Sequence, residues 1–167
     1  MLRQYHRFRL LLKLKGRLLQ NAPFLNTTMN SISEYKLVVA EAGLREATLA
    51  LLQENDLPRS DLDETKTLFA FLGNGDVIGT GGLESFGDCA LLRSISVRKD
   101  LQKKGMGKFI VGELEKVAWQ SGINCMYLLT TTAESFFTNR GYEIIDREAV
   151  PNEIKNTRIF FNLPFYS

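Results

Sequence analysis

Apolar and polar residues fall into blocks of two different periods along this chain, and those periods predict its elements. Tyr35-Lys36-Leu37-Val38-Val39 reads as a strand. Leu44 to Glu54 reads as a helix, with Leu44, Ala47 and Leu51 at helical spacing. Pro58 and the acids at 61–64 suit a loop or a short helix start. Thr67 to Leu72 and Val77 to Leu83 predict two strands joined across Gly73-Asn74-Gly75-Asp76, a strong hairpin signal. Cys89 to Val97 predicts another strand. A long helix opens near Gly105 and runs to about Gln120, with Met106, Ile110, Leu114 and Val117 on one stripe. Ser121-Gly122 ends it. Ile123 to Thr130 is an apolar strand, Ala133 to Asn139 a short helix closed by Arg140-Gly141, and Tyr142 to Ile145 and Arg158 to Leu163 two further strands. This order predicts an α/β (α+β) fold, a mixed and largely antiparallel sheet of about six or seven strands flanked by helices.

Composition sets the limits. The chain has 167 residues, 44% of them hydrophobic, enough for one domain with a real core. We place that domain at 31–167 and treat 1–30 as a basic N-terminal extension, with Met29 an alternative start. No apolar run reaches the roughly 18–20 residues of a membrane span. Cys89 and Cys125 lie in apolar stretches and read as small buried hydrophobes of a reducing, cytoplasmic protein, not as a disulfide or a metal site. The only histidine is His6, so no His-based triad or metal centre is expected in the body.

Charge changes this picture. The net charge is +2, yet residues 1–30 carry six bases and no acid, which leaves 15 bases against 19 acids in 31–167. Within that acidic body, Arg93, Arg98, Lys99, Lys103, Lys104 and Lys108 face one acid, Asp100. Such a patch favours an anionic ligand. The basic arm, where Leu2, Tyr5, Phe8 and Leu10 to Leu12 interleave with the bases, would be amphipathic if helical; membrane-surface contact, nucleic-acid contact and targeting stay open for it.

The cationic patch spans a strand end, a loop, and two glycines that open a helix. The first N–H groups of a helix lack internal partners, and its dipole adds about half a positive charge there. Gly105 and Gly107 let a phosphate approach the backbone without a Cβ in the way. A pyrophosphate suits such a cradle. The segment lacks the third glycine of a dinucleotide fingerprint and the Gly-Lys-Ser/Thr of a P-loop, which argues against both.

Val97 through Gly107 resembles the coenzyme A motif of the GNAT N-acetyltransferases: a strand-terminal Val, a loop, then Gln102-Lys103-Lys104-Gly105-Met106-Gly107. Ala133-Glu134-Ser135-Phe136-Phe137-Thr138-Asn139-Arg140-Gly141-Tyr142 is similar to that family's second signature. More narrowly, Ala90-Leu91-Leu92-Arg93-Ser94, Tyr127 to Glu134 and Ala149-Val150-Pro151 look like the N-acetyltransferases encoded beside arsenic-resistance genes. The resemblance implies acetyl-CoA as acyl donor, held in a V-shaped opening between the Cys89–Val97 and Ile123–Thr130 strands. Pantetheine would run along Ile95, Ser96 and Val97, with a backbone N–H near Val97 facing the thioester carbonyl. The pyrophosphate would meet Gln102, Lys103, Lys104, Gly105, Met106, Gly107 and Lys108. Gln102 stands where many relatives have arginine.

An amine acceptor must lose a proton, and a carboxylate is the usual base. Glu84, at a strand end after Gly81-Gly82-Leu83, is the first candidate, with Asp88 and Glu134 in reserve. The family's usual proton-donating tyrosine is replaced by Phe137, and Tyr127, Tyr142, Ser135 or water could substitute; Tyr127 is the residue we assign. Arg93 is the candidate for an anionic substrate group, against the competing reading of a salt bridge to Glu84 or another acid. The expected activity is acetylation of a small-molecule amine, amino-acid-like or arsenic-containing. Alternatives are a protein N-acetyltransferase and a non-catalytic acyl-CoA-binding regulator. No stable nucleic-acid partner and no metal are expected, and the protein is expected to be a monomer or homodimer.

Overall fold

The computed structural model describes residues 10–15 and 35–161; His6, Met29 and the predicted strand residues beyond 161 lie outside them. Seven strands form one sheet: β1 (Leu10–Lys15), β2 (Tyr35–Val39), β3 (Leu68–Gly73), β4 (Asp76–Phe86), β5 (Cys89–Val97), β6 (Cys125–Thr130) and β7 (Glu143–Ile144). Their order is β2-β3-β4-β5-β6-β1-β7. Among the described residues only β5 and β6 pair in parallel; every other ladder there is antiparallel. The helices are α1 (Ala42–Glu54), α2 (Met106–Gln120), α3 (Glu134–Thr138), α4 (Asn152–Lys155) and α5 (Arg158–Phe161).

The two faces of the sheet are covered differently. On one, Met106, Ile110, Leu114 and Ala118 of α2 pack with Phe71, Ile78, Ala90, Leu92, Met126 and Leu128. Burying such side chains is worth about 1.5–3 kcal/mol each relative to exposure. Close approach of α2 to β4 requires glycine. A Cβ on Gly79 would lie 2.2 Å from Ile110 Cδ1, and one on Gly81 2.2 Å from Leu114 Cδ1. On the other face, α1 covers Leu68 and Ala70 of β3, and α4 and α5 cover Cys89, Leu91 and Tyr127.

Three expectations need correction. Leu10–Lys15 does not lie outside the domain: it pairs antiparallel with the whole of β6, from Leu10 opposite Thr130 to Lys15 opposite Cys125, and separates β6 from β7. Leu14 is 1% exposed in the α2-side core, while the ammonium of Lys13 sits 5.0 Å from the ring centroid of Tyr127 on the other face. The alternation Leu12-Lys13-Leu14-Lys15 is the period of a strand, not of an amphipathic helix. Second, Arg158–Phe161 is helical, not a strand. An apolar run this short does not distinguish the two by period. Phe160 N–H bonds the Thr157 carbonyl at 3.0 Å, and the Phe160 ring is fully buried. Third, Cys89 and Cys125 form a disulfide, with Cα atoms 4.6 Å apart. They are 36 residues apart in sequence, but the parallel register makes them direct neighbours at the start of β5 and β6. The cysteines therefore give no argument for a reducing compartment. No helix among the described residues is long and apolar enough to cross a membrane.

Candidate active site

The parallel ladder of β5 and β6 is short. It runs from Cys89 opposite Cys125 to Leu92 opposite Leu128 and stops, although both strands continue. At the same level β5 carries a bulge. Gly82 stands opposite Arg93 and Thr80 opposite Ser96, so Ser94 and Ile95 together face Gly81. Ser94 has φ +55, and its carbonyl takes the Thr80 hydroxyl at 2.7 Å. A bulge bends its strand and re-aims the residues that follow. Beyond it, β5 no longer pairs with β6, and the strands part.

A cleft of about 220 Å³ lies in this gap. Its lining residues come from both faces of the sheet. On the α2 side its wall is Ile95, Leu128, Ala133, Phe136 and Phe137; on the opposite side it is Leu57, Pro58, Leu91, Leu129 and Ile159. A second recess, bounded by Asn55, Leu57, Ile95, Ser96, Val97 and Gln102, continues along β5 toward the glycine turn.

That turn has the form of an anion cradle. Gly105, with φ +86, precedes the first helical residue of α2, no side chain caps the helix, and a Cβ at Gly105 would meet nothing within 4 Å. Lys103, Lys104 and Lys108 are exposed, and no acid pairs with them among the described residues. Arg98, in contrast, is held by Asp100 at 2.7 Å, which keeps its guanidinium above and the Asp100 carboxyl below their usual ranges through that hydrogen bond. Gln102 acts as a brace, donating from Nε2 to the Val97 carbonyl at 3.0 Å and to Asn55 Oδ1 at 2.9 Å. Met106 is buried in the α2-side core, and Phe136 comes closest to Gly107, so the cradle opens on the α2-side mouth of the cleft.

The residues expected to do chemistry are placed less simply. Glu84 is 7% exposed on β4, one strand away from the cleft. One of its oxygens takes Lys66 Nζ at 2.7 Å and the other takes Arg93 Nη1. Arg93 borders the cleft, but its Nη2 also lies 2.7 Å from Asp61 Oδ2, off the axis of a hydrogen bond. Two bases thus meet two acids in one group, buried except at Lys66, whose formal charges cancel. The competing salt-bridge reading of Arg93 is the one the geometry realises. Tyr127 packs against Cys89, Leu91, Val150, Ile154 and Phe160 and does not border the cleft. Tyr142 is also withdrawn: its hydroxyl donates to Glu115 Oε1 at 3.2 Å, and burial, with the Glu115 carboxylate, holds it well above the usual tyrosine range. Asp88 accepts Asn124 N–H at its carbonyl, at the closed end of the ladder.

The sequence points to the loop around 55–65 as part of the acceptor pocket but singles out none of Asp61, Leu57 and Pro58, which reach the site from it, and it does not show the bulge at Ser94. A small polar residue inside the run Leu91 to Val97 was the only trace of that bulge. The α1–β3 loop is fastened from both ends. Arg45 donates to the Lys66 carbonyl at 3.1 Å and to the Asp63 carbonyl, while Arg93 holds Asp61.

Comparison with known proteins agrees with this geometry. Residues 30–142 match the model of the acetyltransferase (GNAT) family. An uncharacterized N-acetyltransferase of Chlorobaculum tepidum is 29% identical over 94 residues, 56% of this chain and about 60% of that protein's length. An uncharacterized protein of Bacillus subtilis, YyaT, is 29% identical over 131 residues, 71% of this chain and 88% of that protein. Among solved structures, a GNAT acetyltransferase from Staphylococcus aureus superposes with a TM-score of 0.62 at 18% identity, over 71% of this chain and 90% of that one. N-acetylglutamate synthase from Neisseria gonorrhoeae, solved with coenzyme A and N-acetyl-glutamate, superposes with a TM-score of 0.61 at 20% identity, over 74% of this chain and 33% of that one. With more than half of its length matching the family model, the chain belongs to the acetyltransferase (GNAT) family.

Proposed function

We propose that this chain transfers the acetyl group of acetyl-CoA to the amine of a small molecule. The observation that carries the reading is the parting of β5 and β6 beyond Leu92, next to the uncapped start of α2. The unpaired edge of β5 at Arg93 to Val97 offers backbone groups to an extended, amide-rich arm, as a neighbouring strand would. The N–H groups at 105–108, with Lys103, Lys104 and Lys108, suit a diphosphate. These residues fit coenzyme A; the group would supply the activated acetyl, and the chain binds, orients and excludes water.

Both oxygens of Glu84 are engaged by cations and the residue does not line the cleft, so proton removal from the acceptor is not assigned to direct contact with it. The narrower likeness of three segments to the acetyltransferases encoded beside arsenic-resistance genes supports a detoxifying context. A thiol-release assay with acetyl-CoA over a panel of amines tests the activity, with calorimetry on acetyl-CoA and CoA beside it. Micromolar binding and acceptor-dependent thiol release are expected. Absence of binding to either nucleotide would refute the reading.

A further inference from the structure

The mouth of the cleft away from α2 is where an acceptor must enter if the donor occupies the α2 side, and its lining restricts the acceptor. We propose that this mouth selects amines on an uncharged, apolar body and rejects those carrying an anionic group. This rests on the transferase reading above.

The argument starts from what the mouth lacks in free charge. Leu57, Pro58, Leu91, Leu129 and Ile159 are apolar, Ser94, Thr130 and Thr132 add neutral polar groups to the cleft, and among the described residues the single ionic side chain that lines it is Arg93. A lone arginine here would capture a carboxylate or phosphonate in bidentate fashion. Arg93 is not available for that. Its Nη1 bonds Glu84, its Nη2 lies 2.7 Å from Asp61 Oδ2, and its Nε is sealed from solvent. Lys66 completes the group by pairing with Glu84, so two positive and two negative charges cancel. An anion entering the mouth would be desolvated among aliphatic side chains with no uncompensated cation among the described residues that line it, which is strongly unfavourable. The same surroundings penalise an ammonium and favour the neutral amine. The mouth therefore delivers the nucleophilic form without a dedicated base, and kcat/KM should rise about tenfold per pH unit below the acceptor's own pKa.

Three acceptors with one benzyl group test this: phenethylamine, phenylalaninamide and phenylalanine. The carboxylate comes with a more acidic ammonium than that of phenethylamine, so phenylalanine holds more neutral amine at pH 8 and any preference for phenethylamine runs against that bias. We expect kcat/KM for phenethylamine to exceed that for phenylalanine at least tenfold, and that for phenylalaninamide, whose ammonium is the most acidic of the three, to do so after division by the neutral-amine fraction of each. Equal or better use of phenylalanine overturns the proposal. If acetyl-CoA binds by calorimetry but none of the three is acetylated, the acceptor class is wrong while the donor site stands; if acetyl-CoA does not bind, both fall. Asp61→Asn supplies a second arm. It leaves the group with one surplus positive charge beside the cleft, and the preference against phenylalanine should shrink at least fivefold. A folded Asp61→Asn protein with an unchanged ratio would refute the charge-cancellation argument, and should that variant fail to fold, the three-acceptor comparison on the wild-type protein still decides.

Discussion

Glu115, in the middle of the helix whose first turn forms the anion cradle, accepts the guanidinium of Arg140 at 2.5 Å. Glu115 is 3% exposed, and its other oxygen takes the Tyr142 hydroxyl. This one carboxylate ties α2 to the segment that follows α3, and α3 carries the aromatic wall of the cleft. Phe137 packs edge-on against both Phe136 and Tyr142, with ring centroids 4.9 and 5.2 Å away.

Removing that carboxylate leaves a half-buried arginine and a buried hydroxyl without their partner. Glu115→Ala should cost about 3–5 kcal/mol, and Tyr142→Phe, which leaves the ion pair intact, about 1 kcal/mol. Urea unfolding of the two variants measures the difference. The raised value of the Tyr142 hydroxyl means that its bond is fully present below the ordinary tyrosine pKa of about 10 and is lost only as pH climbs toward the raised value. Stability at pH 7 to 9 should therefore show no contribution from its ionisation.

Leu14 decides whether the first strand belongs to the folded unit. It is 1% exposed among residues of β6 and α2. Leu14→Ala should destabilise by about 2–5 kcal/mol, read as a shift of the denaturant midpoint. A midpoint equal to that of the wild-type protein would place Leu10–Lys15 outside the sheet.

Gly81→Ala puts a methyl 2.2 Å from Leu114 Cδ1, and Leu114 is fully buried. Overpacking there should cost about 1–3 kcal/mol. Gly43→Ala is the control, because nothing lies within 4 Å of its added Cβ. That variant should match the wild-type protein or exceed it slightly in stability.

The exposed lysines of the cradle should act through charge. Replacing Lys103, Lys104 or Lys108 with Ala is expected to raise the KM for acetyl-CoA about two- to fivefold and to weaken its dependence on ionic strength. Kinetics at low and high salt separate this from a loss of fold. Lys116, which pairs with Glu113 farther along α2, should leave that KM unchanged when replaced.

The disulfide closes a loop of 36 residues containing α2. Its reduction should lower stability by about 2–4 kcal/mol on the loop-entropy argument. Thermal unfolding with and without reductant, and of Cys89→Ala with Cys125→Ala, gives the magnitude.

Much of the frame was legible because it repeats simple periods. Met106, Ile110 and Leu114 marked the buried stripe of α2, and Asn74-Gly75 marked the β3–β4 turn. The glycine turn was legible because its chemistry is local. What stayed hidden depends on contacts between distant segments. Nothing near Arg93 in sequence shows that Asp61 lies 2.7 Å away. Nothing near Cys89 shows that Cys125 starts the next strand in register. The basic arm hid a strand because its charge drew attention from the alternation around Lys13.

A cleft lined from both faces of the sheet has a kinetic corollary. If donor and acceptor enter from opposite faces, neither has to leave before the other arrives, and each product can exit the way its parent came. Double-reciprocal plots should intersect to the left of the axis, as for a ternary complex, and the spent thiol should compete with acetyl-CoA without competing with the amine.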